Sequence, residues 1–228
     1  MDVSFFRSRI SGPELLLEDS VIKKINKITP TTNLPSWIGY SPRVGAGMPD
    51  ILFANYEPKI IALSNQEICQ TQILALIRAL NSAKFEKIFF HLNFSEKNLK
   101  YLLNELLDIK ILECWNDQFY LSSDWKNIIP MIISIEVKVF DWKRAISQAK
   151  RNLLFSNKSY VALPIKTAHR IKNNQIFINK EIGLLSVDGD VVIEEVSPNQ
   201  SLPFIWEYYY KLALILAKCK KEPISCHL

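Results

Sequence analysis

Ile133-Ser134-Ile135-Glu136-Val137-Lys138-Val139 sets an apolar residue at every second place, and side chains along an extended chain alternate between two faces. The pattern predicts a strand over Met131–Val139 with Ser134, Glu136 and Lys138 on one face. A carboxylate and an ammonium then stand side by side. Taken alone, such an E-x-K pair is what any strand with one wet face displays, because short motifs recur by accident. The surrounding sequence has to decide what this one means.

Downstream, the text alternates between strand and helix. A helix is expected from Asp141 to about Phe155, a strand over 159–164, a helix over 167–178, and a hairpin of 183–187 with 191–196 turned at Asp188-Gly189-Asp190. A closing helix over 202–221 carries Phe204, Trp206, Tyr208, Tyr209 and Tyr210, read as core packing. Upstream, Ser11-Gly12-Pro13-Glu14 opens a helix to about Lys27. Two strands follow, Ser36–Val44 and Met48–Asn55, joined at Gly45-Ala46-Gly47 as a hairpin, and 59–63 is a candidate third. Strands alternating with helices imply an α/β sheet.

Between these halves the texture changes. Helices are expected over 66–80, 84–91 and 95–107, the last opened by Ser95-Glu96, and then a short strand pair, 109–113 and 118–121, around Trp115-Asn116-Asp117. Three helices followed by a hairpin is the order of a winged helix.

Composition bounds the classes. The 228 residues are 48% hydrophobic and 22% charged, enough apolar mass for a substantial core. No apolar run reaches the roughly 18 residues of a spanning helix, so a soluble, cytoplasmic protein with no membrane association is expected. Cys69, Cys114, Cys219 and Cys226 form no C-x-x-C pair, and His91, His169 and His227 are the only histidines, which disfavours a zinc cage. The cysteines read as reduced thiols, mostly buried. The net charge of +5 is compatible with a polyanionic partner without establishing one. More telling is the crowding of Lys143, Arg144, Lys150, Arg151, Lys158, Lys166, Arg170 and Lys172 into one short stretch.

The run from Ile135 to Pro164, IEVKVFDWKRAISQAKRNLLFSNKSYVALP, resembles the core strand, helix and strand of the PD-(D/E)XK nuclease superfamily. The likeness is to members that pair E-x-K with a tryptophan, basic residues and Gln-Ala on the next helix. Asp50, in Met48-Pro49-Asp50-Ile51-Leu52-Phe53, fits the upstream aspartate of that pattern. The resemblance implies a restriction-endonuclease-like mixed sheet flanked by helices, with residues 1–64 and 131–228 as the nuclease core and 65–130 as an inserted winged-helix subdomain.

It also implies an activity, metal-dependent hydrolysis of DNA phosphodiesters, and roles for single residues. Asp50 and Glu136 would ligate Mg²⁺, or Mn²⁺ in its place, together with the main-chain carbonyl of Val137. Lys138 would orient or deprotonate water and stabilise charge on the phosphate. Glu14 would add an acidic group from the first helix, with Glu18 the competing choice, and Gln148 would support the site or the substrate. The chemistry suits these types: Mg²⁺ takes hard oxygen ligands and keeps several waters, and it polarises a phosphoryl oxygen while activating bound water.

One departure is the spacing. Asp50 and Glu136 lie 136 − 50 = 86 residues apart, where relatives use consecutive strands and a short turn. An insertion at that turn accounts for it, since closure entropy grows slowly with loop length. Asp124 and Asp141 are the competing first ligands. The alternative reading is a nuclease-like core that has lost catalysis, whose winged helix binds DNA or docks on another protein. DNA contacts are expected from Lys143, Arg144 and Arg151 on the helix after E-x-K, and from Lys97 and Lys100 on the third helix of the insertion. A protein partner or a second copy of the chain is the further expectation, and the breadth of the superfamily suggests defence or mobile-element biology.

Overall fold

The computed structural model describes residues 1–45 and 47–221 and divides them into two compact units. One comprises Met1–Tyr56 and Met131–Phe204; the other comprises Glu57–Pro130 and the described residues from Ile205 onward. In chain order the elements begin with β1 (Asp2–Phe5), α1 (Pro13–Lys23), β2 (Ser36–Tyr40) and β3 (Ile51–Asn55). Next come α2 (Ile68–Leu80), β4 (Ala83–Lys84), α3 (Phe85–His91), α4 (Glu96–Asp108), β5 (Leu112–Trp115) and β6 (Gln118–Leu121). The chain continues with β7 (Met131–Val137), α5 (Trp142–Asn152), β8 (Lys158–Pro164), α6 (Ile165–Ile171), α7 (Gln175–Ile178), β9 (Gly183–Asp188), β10 (Val191–Val196) and α8 (Trp206–Lys221).

The first unit is mixed α/β, built on a seven-stranded sheet in the order β1-β2-β3-β7-β8-β9-β10. Strands β2, β3 and β7 pair antiparallel, β8 and β9 run parallel to β7, and β10 returns as a hairpin on β9. At the other edge β1 lies parallel to β2, fixed by a hydrogen bond from Trp37 Nε1 to Ser4 Oγ. The E-x-K strand is therefore central and covered on both faces. Ile133, Ile135 and Val137 pack with Ile51, Phe53, Tyr160 and Leu185, and Val21 and Ile25 close that face from the α1 side. Fully burying each such aliphatic side chain contributes about 1.5–3 kcal/mol.

Its other face is polar in sequence yet equally closed. Ser134 Oγ donates to Ser159 Oγ and lies 3.1 Å from Ser156 Oγ, which itself donates to Asn152 O. This hydroxyl chain ties the last turn of α5 to β7. Ala145 and Ala149, small enough for close approach, seat the same helix against Val161 and Leu163.

In the second unit, β4 and β5 flank β6 in a three-stranded antiparallel sheet. Helix α4 buries Leu99, Leu102, Leu103 and Leu106 and is capped by Ser95, whose hydroxyl accepts from Asn98 N. Asn116 and Asp117, both at positive φ, make the tight turn between β5 and β6, a conformation Asn and Asp tolerate better than most residues. Helix α8 packs on α2 within this unit, and buried Tyr209 and Tyr210 anchor it through hydrogen bonds with the backbone of Ile129 and Trp125.

Several expectations are corrected. The β2–β3 hairpin forms, but its strands end at Tyr40 and resume at Ile51, so the connection is longer than expected; Val44 and Pro49 within it are buried. Residues 59–63 form no strand but part of a 3₁₀ segment, Pro58–Asn65, because Pro58 starts a turn and Ile60 and Leu63, three apart, bury together. The helix expected over 167–178 breaks between α6 and α7, where the Asn174 side chain caps Ile176 N. Helix α8 starts at Trp206, and Phe204 lies exposed before it. Cys114 is exposed, Cys69 partly so, and Cys219 buried; Cys226 and His227 lie outside the described residues. Among the described residues, no helix is long and apolar enough to cross a membrane.

Candidate active site

The register between β3 and β7 pairs Ile51 with Ile135, so one step further along both strands Asp50 meets Glu136. Residues distant in sequence are thus neighbours because an antiparallel pair ends at both. Asp50 is almost wholly buried, and its Oδ2 accepts from Val137 N at 2.8 Å. The same oxygen accepts from Lys138 Nζ at 3.2 Å, and Nζ also donates to Val137 O at 2.8 Å. The Lys138 backbone is held by its N–H bond to Ala162 O on β8. Asp50, Glu136, Val137 and Lys138 therefore form one cluster at one end of the sheet.

Glu136 is 1% exposed. Its Oε1 accepts from Asn152 Nδ2 at 2.7 Å, while Oε2 is buried with no partner among the described residues. Burial, reinforced by repulsion from Asp50 and opposed by Asn152 and Lys138, pushes its carboxyl up to about 8. An orphaned buried carboxylate oxygen costs roughly 1–3 kcal/mol or more unless a proton or cation takes it.

Helix α1 supplies two further acids. Glu18 is buried, bonded to Arg7 Nη2 at 2.6 Å, and the same nitrogen lies 3.3 Å from Asp50 Oδ1. Burial raises Glu18 to about 7 despite the Arg7 charge beside it. Glu14, one turn earlier, is half exposed and 3.6 Å from Lys138 Nζ. Four acids thus face two cations in this cluster, so its fully ionised form carries an excess of 4 − 2 = 2 negative charges. Two carboxylates, a main-chain carbonyl and that charge deficit fit a hard divalent ion at Asp50, Glu136 and Val137 O. No group of three or more His, Cys, Asp or Glu at metal-holding spacing occurs among the described residues.

Gln148 is half-buried on α5 and bonds none of these groups; its Oε1 is buried without a partner among the described residues. Asn152, one turn further on, is the α5 residue that reaches Glu136. A signal for it existed: Ala145, Ala149 and Asn152 follow the i, i+4, i+7 spacing of a single helix face, so a buried Asn continues the stripe laid by the two alanines. Gly47 packs against it, since a Cβ there would meet Asn152 Oδ1 at 2.5 Å. Arg7 and Asn152 were not foreseen from sequence.

The competing first ligands lie elsewhere. Asp141 is the exposed N-cap of α5, accepting from Arg144 N, and Asp124 is exposed and paired with Lys59. Lys143, Arg144 and Arg151 are all exposed on α5, a helix whose own residues include cations but no acid. Lys97 and Lys100 are exposed on α4, with Lys100 bonded to Glu96 at 2.6 Å. No family model, curated protein or solved structure matches the chain.

Proposed function

We propose that the protein is a Mg²⁺-dependent nuclease of the PD-(D/E)XK type that hydrolyses DNA phosphodiesters in the cytoplasm. The observation that carries this reading is the meeting of Asp50, Glu136 and Lys138 at one sheet end, although Asp50 lies far from the other two in sequence. The surrounding topology supports it. Helix α1, the antiparallel trio β2-β3-β7, helix α5 and parallel β8 follow the αβββαβ order of a restriction-endonuclease-like core. The order α2-β4-α3-α4-β5-β6 with sheet order β4-β6-β5 likewise supports a winged helix in the second unit, used to hold DNA or a partner protein.

In this reading Asp50, Glu136 and the Val137 carbonyl would hold the ion, which would polarise the scissile phosphate and lower the pKa of a water. The chain's own groups do the rest. Asn152 fixes the rotamer of Glu136. Asp50 is oriented by the Val137 N–H. Lys138, whose Nζ bonds Asp50 Oδ2 and Val137 O, would set its ammonium against the phosphate and the attacking water. Supercoiled plasmid incubated with the protein and Mg²⁺ or Mn²⁺ should be nicked or linearised, and Lys138→Ala should not cut. Equal cutting by both proteins would refute the assignment.

A further inference from the structure

We infer that Arg7 is a phosphate-binding residue of this site, presenting its guanidinium edge to a phosphate of the nucleic-acid backbone beside Asp50. The inference rests on the nuclease reading, since the acids around Arg7 outnumber the cations and a phosphate is held there only with a divalent ion beside it.

The geometry begins with how Arg7 is held. It follows β1 at the sheet edge, and a single nitrogen, Nη2, makes both of its ion pairs, 2.6 Å to Glu18 Oε1 and 3.3 Å to Asp50 Oδ1. Both carboxylates are buried, yet 40% of the Arg7 side chain is exposed. Its Nη1 and Nε have no partner among the described residues. The side chain is therefore pinned at one corner, and it lines a cavity of about 170 Å³ together with Ser8, Arg9, Glu14, Leu15 and Glu18 among others.

A planar guanidinium fixed in this way is pre-organised for the two-point recognition of a tetrahedral anion. Arg9, its neighbour in the same cavity, is differently employed: it is paired with Asp19 and lies over the rings of Phe5 and Tyr40. Its role is structural, and that contrast isolates Arg7 as the donor directed outward. A purely structural salt bridge would need neither the exposure nor the unused edge. Because Arg7 touches Asp50, an anion on its free edge lies beside the carboxylate that would hold the ion, and this identifies the ligand as the scissile or the adjacent phosphate.

The test separates this role from a structural one by opposite signs. In Arg7→Ala the two acids lose a counter-cation, so Mn²⁺ affinity, read by electron paramagnetic resonance, should hold or rise. Affinity for a short single-stranded oligonucleotide in Ca²⁺, read by fluorescence anisotropy, should fall roughly tenfold or more, the scale of one charge-assisted bidentate contact. Arg7→Lys, which keeps the charge but loses the fork, should recover only part of the loss. Replacing a single backbone phosphate by a neutral methylphosphonate should weaken wild type and leave Arg7→Ala unaffected at the position Arg7 contacts. Parallel loss of Mn²⁺ and oligonucleotide affinity would make Arg7 structural and overturn the inference, as would unchanged oligonucleotide affinity in Arg7→Ala. Arg7-dependent oligonucleotide binding by a protein that cuts nothing would uphold the phosphate contact while removing catalysis from the nuclease reading. Cutting with the same kcat and KM in Arg7→Ala would do the reverse.

Discussion

Glu136→Gln should stabilise the ion-free protein in alkaline solution while abolishing its activity. In the fold the Glu136 carboxyl keeps its proton until about pH 8, against an ordinary value of 4.5. Between those two values the folded state binds more protons than the unfolded chain, so stability falls as pH rises through this window and the contribution is fully present only below the lower one. At about 1.4 kcal/mol per pH unit, the charged carboxylate costs the fold on the order of 3–5 kcal/mol by about pH 9. Glutamine keeps the oxygen that Asn152 Nδ2 bonds at 2.7 Å and puts an amide in place of the orphaned oxygen, with no charge to repel Asp50. Urea unfolding with a chelator present, followed by tryptophan fluorescence, to which buried Trp37 and Trp125 contribute, is the assay. A gain of that size moves the midpoint by about 2 M at a typical urea dependence. Wild type and variant should be nearly equal at about pH 4, diverge from about pH 5 upward and reach the full difference by about pH 8. A stability difference that does not change with pH would show that Glu136 is not held protonated, and the electrostatic account of the site would fail.

The other predictions use the same groups. Gly47→Ala sets a methyl 2.5 Å from Asn152 Oδ1; it should cost about 1–3 kcal/mol in melting experiments by overpacking and lower kcat more than it raises KM, because Asn152 is displaced from Glu136. Asn152→Asp should be worse than Asn152→Ala for activity near neutrality: a second carboxylate against Glu136 raises its pKa further, so the rate should recover only at higher pH, visible as a displaced acid limb in the pH–rate profile. Mg²⁺ should raise the melting temperature more at about pH 8.5 than at about pH 6, since the ion competes with the proton on Glu136; an equal rise at both would count against that competition.

The E-x-K strand was legible because its period of two is strong over seven residues, but what covers it was not. Ser134 and Glu136 could equally face water, and only the packing of α5 through Ala145 and Ala149 puts them inside. Asp50 was legible as a carboxylate leading a strand, and its meeting with Glu136 depends on a register that only the paired strands specify. Asn152 was hidden because helix spacing names a face without naming its partner. Arg7 follows a four-residue edge strand, too short for any periodic signal. The Pro58–Asn65 segment failed as a strand because an apolar run of that length is compatible with strand or tight helix, and proline decided between them.

Asp50, Glu136 and the Val137 carbonyl are proposed to hold one catalytic ion beside Lys138. Crystals soaked in Mn²⁺ at about pH 8.5, where Glu136 can release its proton, and measured near the manganese absorption edge would test it most directly. A strong anomalous peak bonded to these three oxygens is expected, with Lys138 Nζ withdrawn from Asp50, and no such peak in Glu136→Ala. An anomalous map with no peak there, while Lys138 keeps its bonds to Asp50 and Val137, would contradict it.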